Sequence, residues 1–147
     1  MSTVPLKIKN ISDNDLPQYA TDGASGMDVR AFLSEATSLA PLERKLIPTG
    51  LFVEIPPGYE IQVRPRSGLA LKQGITCLNS PGTIDADYRG EIGIILINLS
   101  DQEQHIHPGE RIAQLVLQPV ARAEWISSHE LSVTDRSEGG FGHTGMQ

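Results

Sequence analysis

PGTIDADYRGEIGIILIN, Pro81–Asn98, is the stretch on which the fold turns. A Pro81-Gly82 turn pair leads through Thr83-Ile84 to Asp85, Asp87 and Tyr88. Arg89-Gly90 marks a second turn, and an apolar run follows from Ile92 to Leu99. Two β-type segments around a short Asp/Gly-rich connection read as a hairpin. Side chains alternate along a strand, so Asp85 and Asp87 face one way and Ala86 and Tyr88 the other, unless the turn begins at Ala86. A carboxylate, an aromatic ring and open backbone groups at a hairpin mouth suit a small-molecule site. The competing reading is a pair of ordinary turn aspartates, since Asp favours turns through local hydrogen bonds.

Working outward, the same period recurs. Val4–Ile11, Met27–Ala31, a short piece around Leu39, Arg44–Ile47, Leu51–Ile55 and Tyr59–Pro65 each alternate apolar with polar residues. Downstream, Ser100–His107 reads as a polar loop, Glu110–Val120 as an apolar strand holding Gln114, and Ala123–Ser127 as a last short strand. With 14 glycines and 10 prolines punctuating them, these segments predict an all-β barrel or sandwich in one domain. RPRSGLALKQG, Arg64–Gly74, is the exception: Ser67 is a candidate N-cap, Leu69–Lys72 are helix formers and Gly74 suits the C-terminal cap. One short helix near residues 68–73 is therefore expected. Its start, preceded by Arg64 and Arg66, suits an anion; the alternative is a simple cap with arginines in water.

The bounds agree with a soluble globular protein. At 147 residues, 39% hydrophobic and 20% charged, the chain can bury a core without staples. The single cysteine, Cys77, excludes an intramolecular disulfide and suits a reducing compartment. No apolar run is long enough to span a membrane and the first ten residues lack a signal peptide's apolar region, so a cytoplasmic location is expected. A net charge of −6 argues against nucleic acid as a partner, yet allows a small polyanion held by a few arginines.

Other residues carry chemistry. Asp28 and Arg30 share a face of their strand, as a ligand-facing pair or as a solvated one. Gln114, an amide inside an apolar strand, needs a hydrogen-bond partner, from another strand or from a ligand. The tail DRSEGGFGHTGMQ, Asp135–Gln147, cannot form a core, and a flexible terminus is its ordinary reading. Its Arg136, Phe141 and glycine amides are also what a nucleotide needs: a charge clamp, a stacking face and a phosphate cradle. It is not a P-loop, having no lysine and no following helix. His105 and His107 have no sulfur ligands nearby and read as surface residues rather than a zinc site.

Five segments in order, ASGMDVRA, PRSGLALK, GTIDADYRGE, GERIAQL and RSEGGFGHTG, resemble the motifs of the homotrimeric deoxyuridine triphosphatases (dUTPases) over nearly the whole chain. The resemblance implies a jelly-roll-like (β-clip) fold, with residues 1–134 as one all-β catalytic domain and 135–147 as a flexible glycine-rich arm closing over the active site. It implies Mg²⁺-dependent hydrolysis of dUTP to dUMP and pyrophosphate, at sites shared between the subunits of a homotrimer. By position, Asp85 matches the carboxylate that activates the attacking water. Asn79 matches the uracil-reading amide, Tyr88 the ring under the deoxyribose and Phe141 the ring stacked on uracil. Arg66, Ser67, Gly68, Gln114, Arg136, Gly142 and Thr144 match phosphate-binding positions. Asp28 matches an acid near the metal, acting through water. Two departures stand out: Ser137 occupies a usual glycine position, a cost if that position needs positive φ, and His143 replaces a commoner serine. The alternatives are a dCTP deaminase-like enzyme of the same fold, or a catalytically silent nucleotide-binding regulatory protein.

Overall fold

The computed structural model describes residues 2–145; Met1 lies outside the described residues, as do Met146 and Gln147 at the end of the expected arm. Alternation of apolar and polar residues produces short antiparallel strands. They are β1 (Lys7–Asn10), β2 (Met27–Arg30), β3 (Thr37–Leu39), β4 (Arg44–Pro48), β5 (Leu51–Glu54) and β6 (Tyr59–Arg64). After the helix α1 (Ser67–Gln73) come β7 (Ile75–Cys77), β8 (Gly82–Ile84), β9 (Gly93–Asn98), β10 (Gln104–Ile106) and β11 (Arg111–Pro119).

They form a four-stranded sheet, β2-β11-β6-β8, a three-stranded sheet, β4-β9-β7, and two pairs, β1-β5 and β10-β3. One core joins all of them. Ile61, Val63, Ile84, Ile94, Leu96, Ile112 and Leu115, drawn from both larger sheets, are buried in a single apolar cluster. Such residues contribute roughly 1.5–3 kcal/mol each through loss of water contact. Asn98 is fully buried among them, yet satisfied: its amide donates to Leu39 O and Gln102 O and its oxygen accepts from Ser100.

Four expectations are corrected. Thr83–Ile84 and Ile92–Leu99 do not form a hairpin: β8 pairs with β6, whereas β9 pairs with β4 and β7. The connection between them crosses from one sheet to another. It turns at Asp85–Tyr88, closed by Tyr88 N–H to Asp85 O at 3.1 Å, so the assumed parity of Asp85 and Asp87 does not apply. Ser67 is not the helix cap: Arg66 holds that position in an extended conformation, with no side-chain cap bond, and Ser67 is the first helical residue. Gly74 does end the helix, in the left-handed conformation (φ +67°) that a side chain disfavours. Ala123–Ser127 is not a strand, and within Ser100–His107, expected as a loop, Gln104–Ile106 form β10.

β11 carries an irregularity that matters for the site. Arg111 pairs with Arg30 and Ala113 with Val29, so Ile112 is an extra residue, a β-bulge. Ile112 and Ala113 are consequently both buried although adjacent.

Candidate functional site

The expected site residues fall into three groups. The first gathers at the start of α1. β11 lies between β2 and β6, which sets Gln114 level with Asp28 on one side and with Arg64 on the other. Asp28 is half-buried and holds two arginines: Arg66 Nε at 3.1 Å from one carboxylate oxygen and Arg111 Nη1 at 3.3 Å from the other. Arg66 also donates to Arg111 O at 3.2 Å. Arg30, on the same face as Asp28, instead donates to Gly109 O, so the sequence-adjacent partner is not the one Asp28 takes. Gln114 Nε2 donates to Pro65 O at 3.1 Å, which satisfies the amide and fixes the chain leading into the helix. Ser67 and Gly68 are exposed in the first helical turn, where backbone N–H groups have no partner within the helix. The result is a carboxylate, two guanidiniums and open amides beside one another, a setting suited to a polyanion and its counter-cation.

The second group lies around the β8–β9 connection. Asp85 and Tyr88 are exposed on the turn. The Tyr88 ring lies across Gly90, where any Cβ would collide with it, and its hydroxyl donates to Glu91 O at 2.8 Å. Asn79, in the loop after β7, sets its amide against Gly82 at the start of β8. Asn79 and Asp85 thus flank the short strand β8, with a carboxylate at one end and an amide at the other.

Within one chain the Asp85 turn stands away from the first group, whereas Asn79, at the other end of β8, lies beside Val63 and so nearer to it. Ile84, just before Asp85, is level with Ile61, whereas Gln114 is level with Arg64, and Arg66 lies further on. At about 3.3 Å per strand residue the separation along β6 is at least ~10 Å, and β11 is two strands from β8.

The third group is the tail. Every residue from Pro119 to Glu138 is exposed, Trp125 at 92%. The hydrogen bonds found in the arm are internal, such as Arg136 Nε to Gly139 O. Phe141 is fully exposed, and Gly142 and Thr144 are exposed beside it. Ser137 does adopt positive φ (+43°), with its hydroxyl and amide bonded to Thr134. The expected cost of serine at that position is thus present, and local hydrogen bonds offset part of it.

Arg111 escaped sequence reading. The bulge at Ile112 turns it to the same side as Gln114, three residues away, and no period-two reading would place those two together. Cys77 is buried, and burial pushes its thiol up to about 11, as suits a core residue rather than a nucleophile. His105 approaches only Glu103, at 3.8 Å. Among the described residues no group of three or more His, Cys, Asp or Glu side chains could hold a metal.

Comparison with known proteins decides the family. The family model described as dUTPase matches residues 12–145. The chain belongs to the dUTPase family. The deoxyuridine 5'-triphosphate nucleotidohydrolase of Fusobacterium nucleatum is 54% identical over 99% of each chain. That of Desulfotalea psychrophila is 60% identical over 89% of this chain and 87% of its own. Among solved structures, the Staphylococcus bacteriophage 80alpha dUTPase with dUPNHPP superposes at a TM-score of 0.87. It is 30% identical and covers 98% of this chain and 100% of its own. This dUTPase is accordingly an all-β protein of jelly-roll type with a single short helix, a hydrolase of nucleotide metabolism. No helix among its described residues is long and apolar enough to cross a membrane.

Proposed function

We propose that this dUTPase hydrolyses dUTP to dUMP and pyrophosphate in the cytoplasm, keeping uracil out of DNA and supplying dUMP. Water attacks the α-phosphorus: the new P–O bond forms as the bond to the β-phosphate oxygen breaks, and pyrophosphate leaves with that electron pair. Asp85 orients the water and takes its proton, a positioning and electrostatic task. Asn79 reads uracil, Tyr88 packs under the deoxyribose and leaves no room for a 2′-hydroxyl, and Phe141 stacks on the base. Arg66, Ser67, Gly68 and Gln114 take the phosphates, joined from the arm by Arg136, Gly142 and Thr144.

The observation that carries this reading is the corner at the start of α1, where Asp28, Arg66 and Arg111 converge beside open helix amides, in a chain matched by the dUTPase model over residues 12–145. The Asp85 turn stands at least ~10 Å from that corner along the sheet. We infer a homotrimer whose subunits pair one chain's phosphate corner with another's Asp85 turn, with the 135–147 arm closing over the join. Two further features support it: the exposed apolar residues Trp125, Ile126, Leu131 and Val133, and an open apolar groove of about 780 Å³ lined by Val4, Leu6, Tyr19, Met27 and Leu117 among others.

Magnesium fits the donors present. Mg²⁺ is a hard cation that keeps much of its water and binds through few carboxylates plus phosphates. Both oxygens of Asp28 are engaged by arginines, which suits contact through water. When bound to the substrate, the ion would neutralise phosphate charge.

A panel of dUTP, dTTP, dCTP and UTP, scored for pyrophosphate with and without Mg²⁺, tests the reading. Release from dUTP alone, and only with the metal, is expected. Comparable release from dTTP, or ammonia from dCTP, would overturn it. The deaminase and silent-binder alternatives are not favoured by the family assignment.

A further inference from the structure

We propose that Arg89 and Glu54 form a positioning pair that holds the turn bearing Asp85 and Tyr88 in its working shape. Neither residue is among those to which the family resemblance gives a role, and the inference rests on the reading of Asp85 as the carboxylate that orients water.

The turn needs such a device. Residues 85–92 leave one sheet and enter another, so no strand ladder supports them. Asp85 O accepts from Tyr88 N–H and the Tyr88 hydroxyl donates to Glu91 O, but both bonds lie within the loop and leave it free to tilt as a unit. The Arg89 guanidinium reaches back across it. Its Nη1 donates to Ala86 O at 2.7 Å and to Tyr88 O at 3.1 Å, gripping the two carbonyls that flank Asp87. Its Nη2 faces Glu54 at 3.6 Å, an ion-pair contact longer than a hydrogen bond. Glu54 ends β5, and its other oxygen meets Lys7 Nζ at 3.0 Å, directly across the β1–β5 ladder.

Lys7, by its hydrogen bond and its charge, holds the Glu54 carboxyl below the usual carboxylate range, with Arg89 adding to the effect. A carboxyl held low in this way favours its anionic form beside Arg89. The far leg of the connection is tied to the same strand, by Ile92 N–H to Leu51 O at 2.8 Å. The turn thus hangs from β5 at two points, Leu51 through backbone and Glu54 through Arg89.

Function explains this arrangement better than stability does. The carbonyls of Ala86 and Tyr88 lie at the surface, where water would satisfy them equally well, and exposed ion pairs add little to folding. What the guanidinium adds is geometry: a planar fork can grip two carbonyls and a carboxylate together, whereas a lysine ammonium at the end of a flexible stem cannot. Orienting a water against phosphorus tolerates little displacement, and about 1 Å of misplacement costs roughly 100-fold.

The test uses the full chain with dUTP and saturating Mg²⁺. Arg89→Met should lower kcat by roughly 10- to 100-fold while KM moves by less than about 3-fold. Arg89→Lys should recover only a small part of the loss. Glu54→Gln should cost a few-fold in kcat, and the double variant Glu54→Gln/Arg89→Met should be no worse than Arg89→Met, because both changes break one device. Thermal unfolding of each variant checks the fold, and the exposed Glu54→Gln keeps the test open if Arg89→Met folds poorly. Normal kcat in both single variants, or losses that multiply in the double, would overturn the proposal. Asp85→Asn is assayed alongside. If it keeps turnover, the underlying reading of the site fails; if it is inactive while Arg89→Met is normal, only the positioning pair fails.

Discussion

The body and the tail of this dUTPase use similar residues to opposite ends. Between Lys7 and Leu117 the alternating Ile, Leu and Val side chains close into one core, and even the amide of Asn98 is fully satisfied there. From Pro119 to Glu138 nothing is buried, although Trp125, Ile126, Leu131 and Val133 are as apolar as the core. Leaving such side chains in water forgoes roughly 1.5–3 kcal/mol each. Residues of this kind outside a chain's own core are suited to burial on another surface. Within the folded chain the phosphate corner and the Asp85 turn stand apart, and the proposed trimer would bring one chain's corner to another's turn.

The sharpest way to break that contrast is to remove the chemistry from the body alone. Asp85→Asn should lower kcat by about 1,000-fold while nucleotide binding, measured by calorimetry, stays nearly unchanged. Near-normal turnover would move the reaction centre elsewhere.

Removing residues 139–147 should lower kcat/KM by about 100-fold and leave the unfolding midpoint unmoved, since the hydrogen bonds of the described arm stay within residues 134–145. A large drop in midpoint would mean that the arm belongs to the folded body after all. Replacing Trp125 and Ile126 with serine should shift sedimentation from near three times the 15.9 kDa chain mass toward one, with about a 10-fold loss of activity at low protein concentration. An unchanged trimer would show that these side chains serve something else.

The smallest effect sharpens the description of the body. The Cys77 thiol ionises near 9.0 when unfolded and near 11 in the core. A raised folded value for a group that is neutral when protonated keeps stability whole below pH 9 and erodes it as pH climbs toward 11. The loss approaches about 2 kcal/mol by pH 10.5. Unfolding free energies from urea titrations of the native chain and of Cys77→Ala, compared at pH 8 and 10.5, should diverge by about that amount.

Most strands were legible because burial on one face imposes a period of two, and Leu51–Glu54 and Tyr59–Arg64 obey it. Partners were not legible, because alternation says which side of a strand is buried and nothing about what lies beside it. Thr83–Ile84 and Ile92–Leu99 therefore looked like a hairpin while belonging to different sheets. Ser67 looked like a cap because serine often is one, yet Arg66 occupies the cap position. Ala123–Ser127 carries a strand's composition without a strand's neighbours. Of the candidate site, the five motifs supplied the expected residues. The grip of Arg66 and Arg111 on Asp28 was hidden, because it depends on how β2, β11 and the start of α1 converge in space.

The extra residue at Ile112 has a consequence for how this gene tolerates change. Side chains three apart in a regular strand point to opposite faces, yet Arg111 and Gln114 both serve the Asp28 corner because the bulge inserts a half-step between them. Losing the Ile112 codon alone would restore regular alternation and turn the arginine away from its carboxylate, and it would also take a buried side chain out of the core. Length variation at that point reaches turnover and the melting curve together, so a deletion there is read by both measurements.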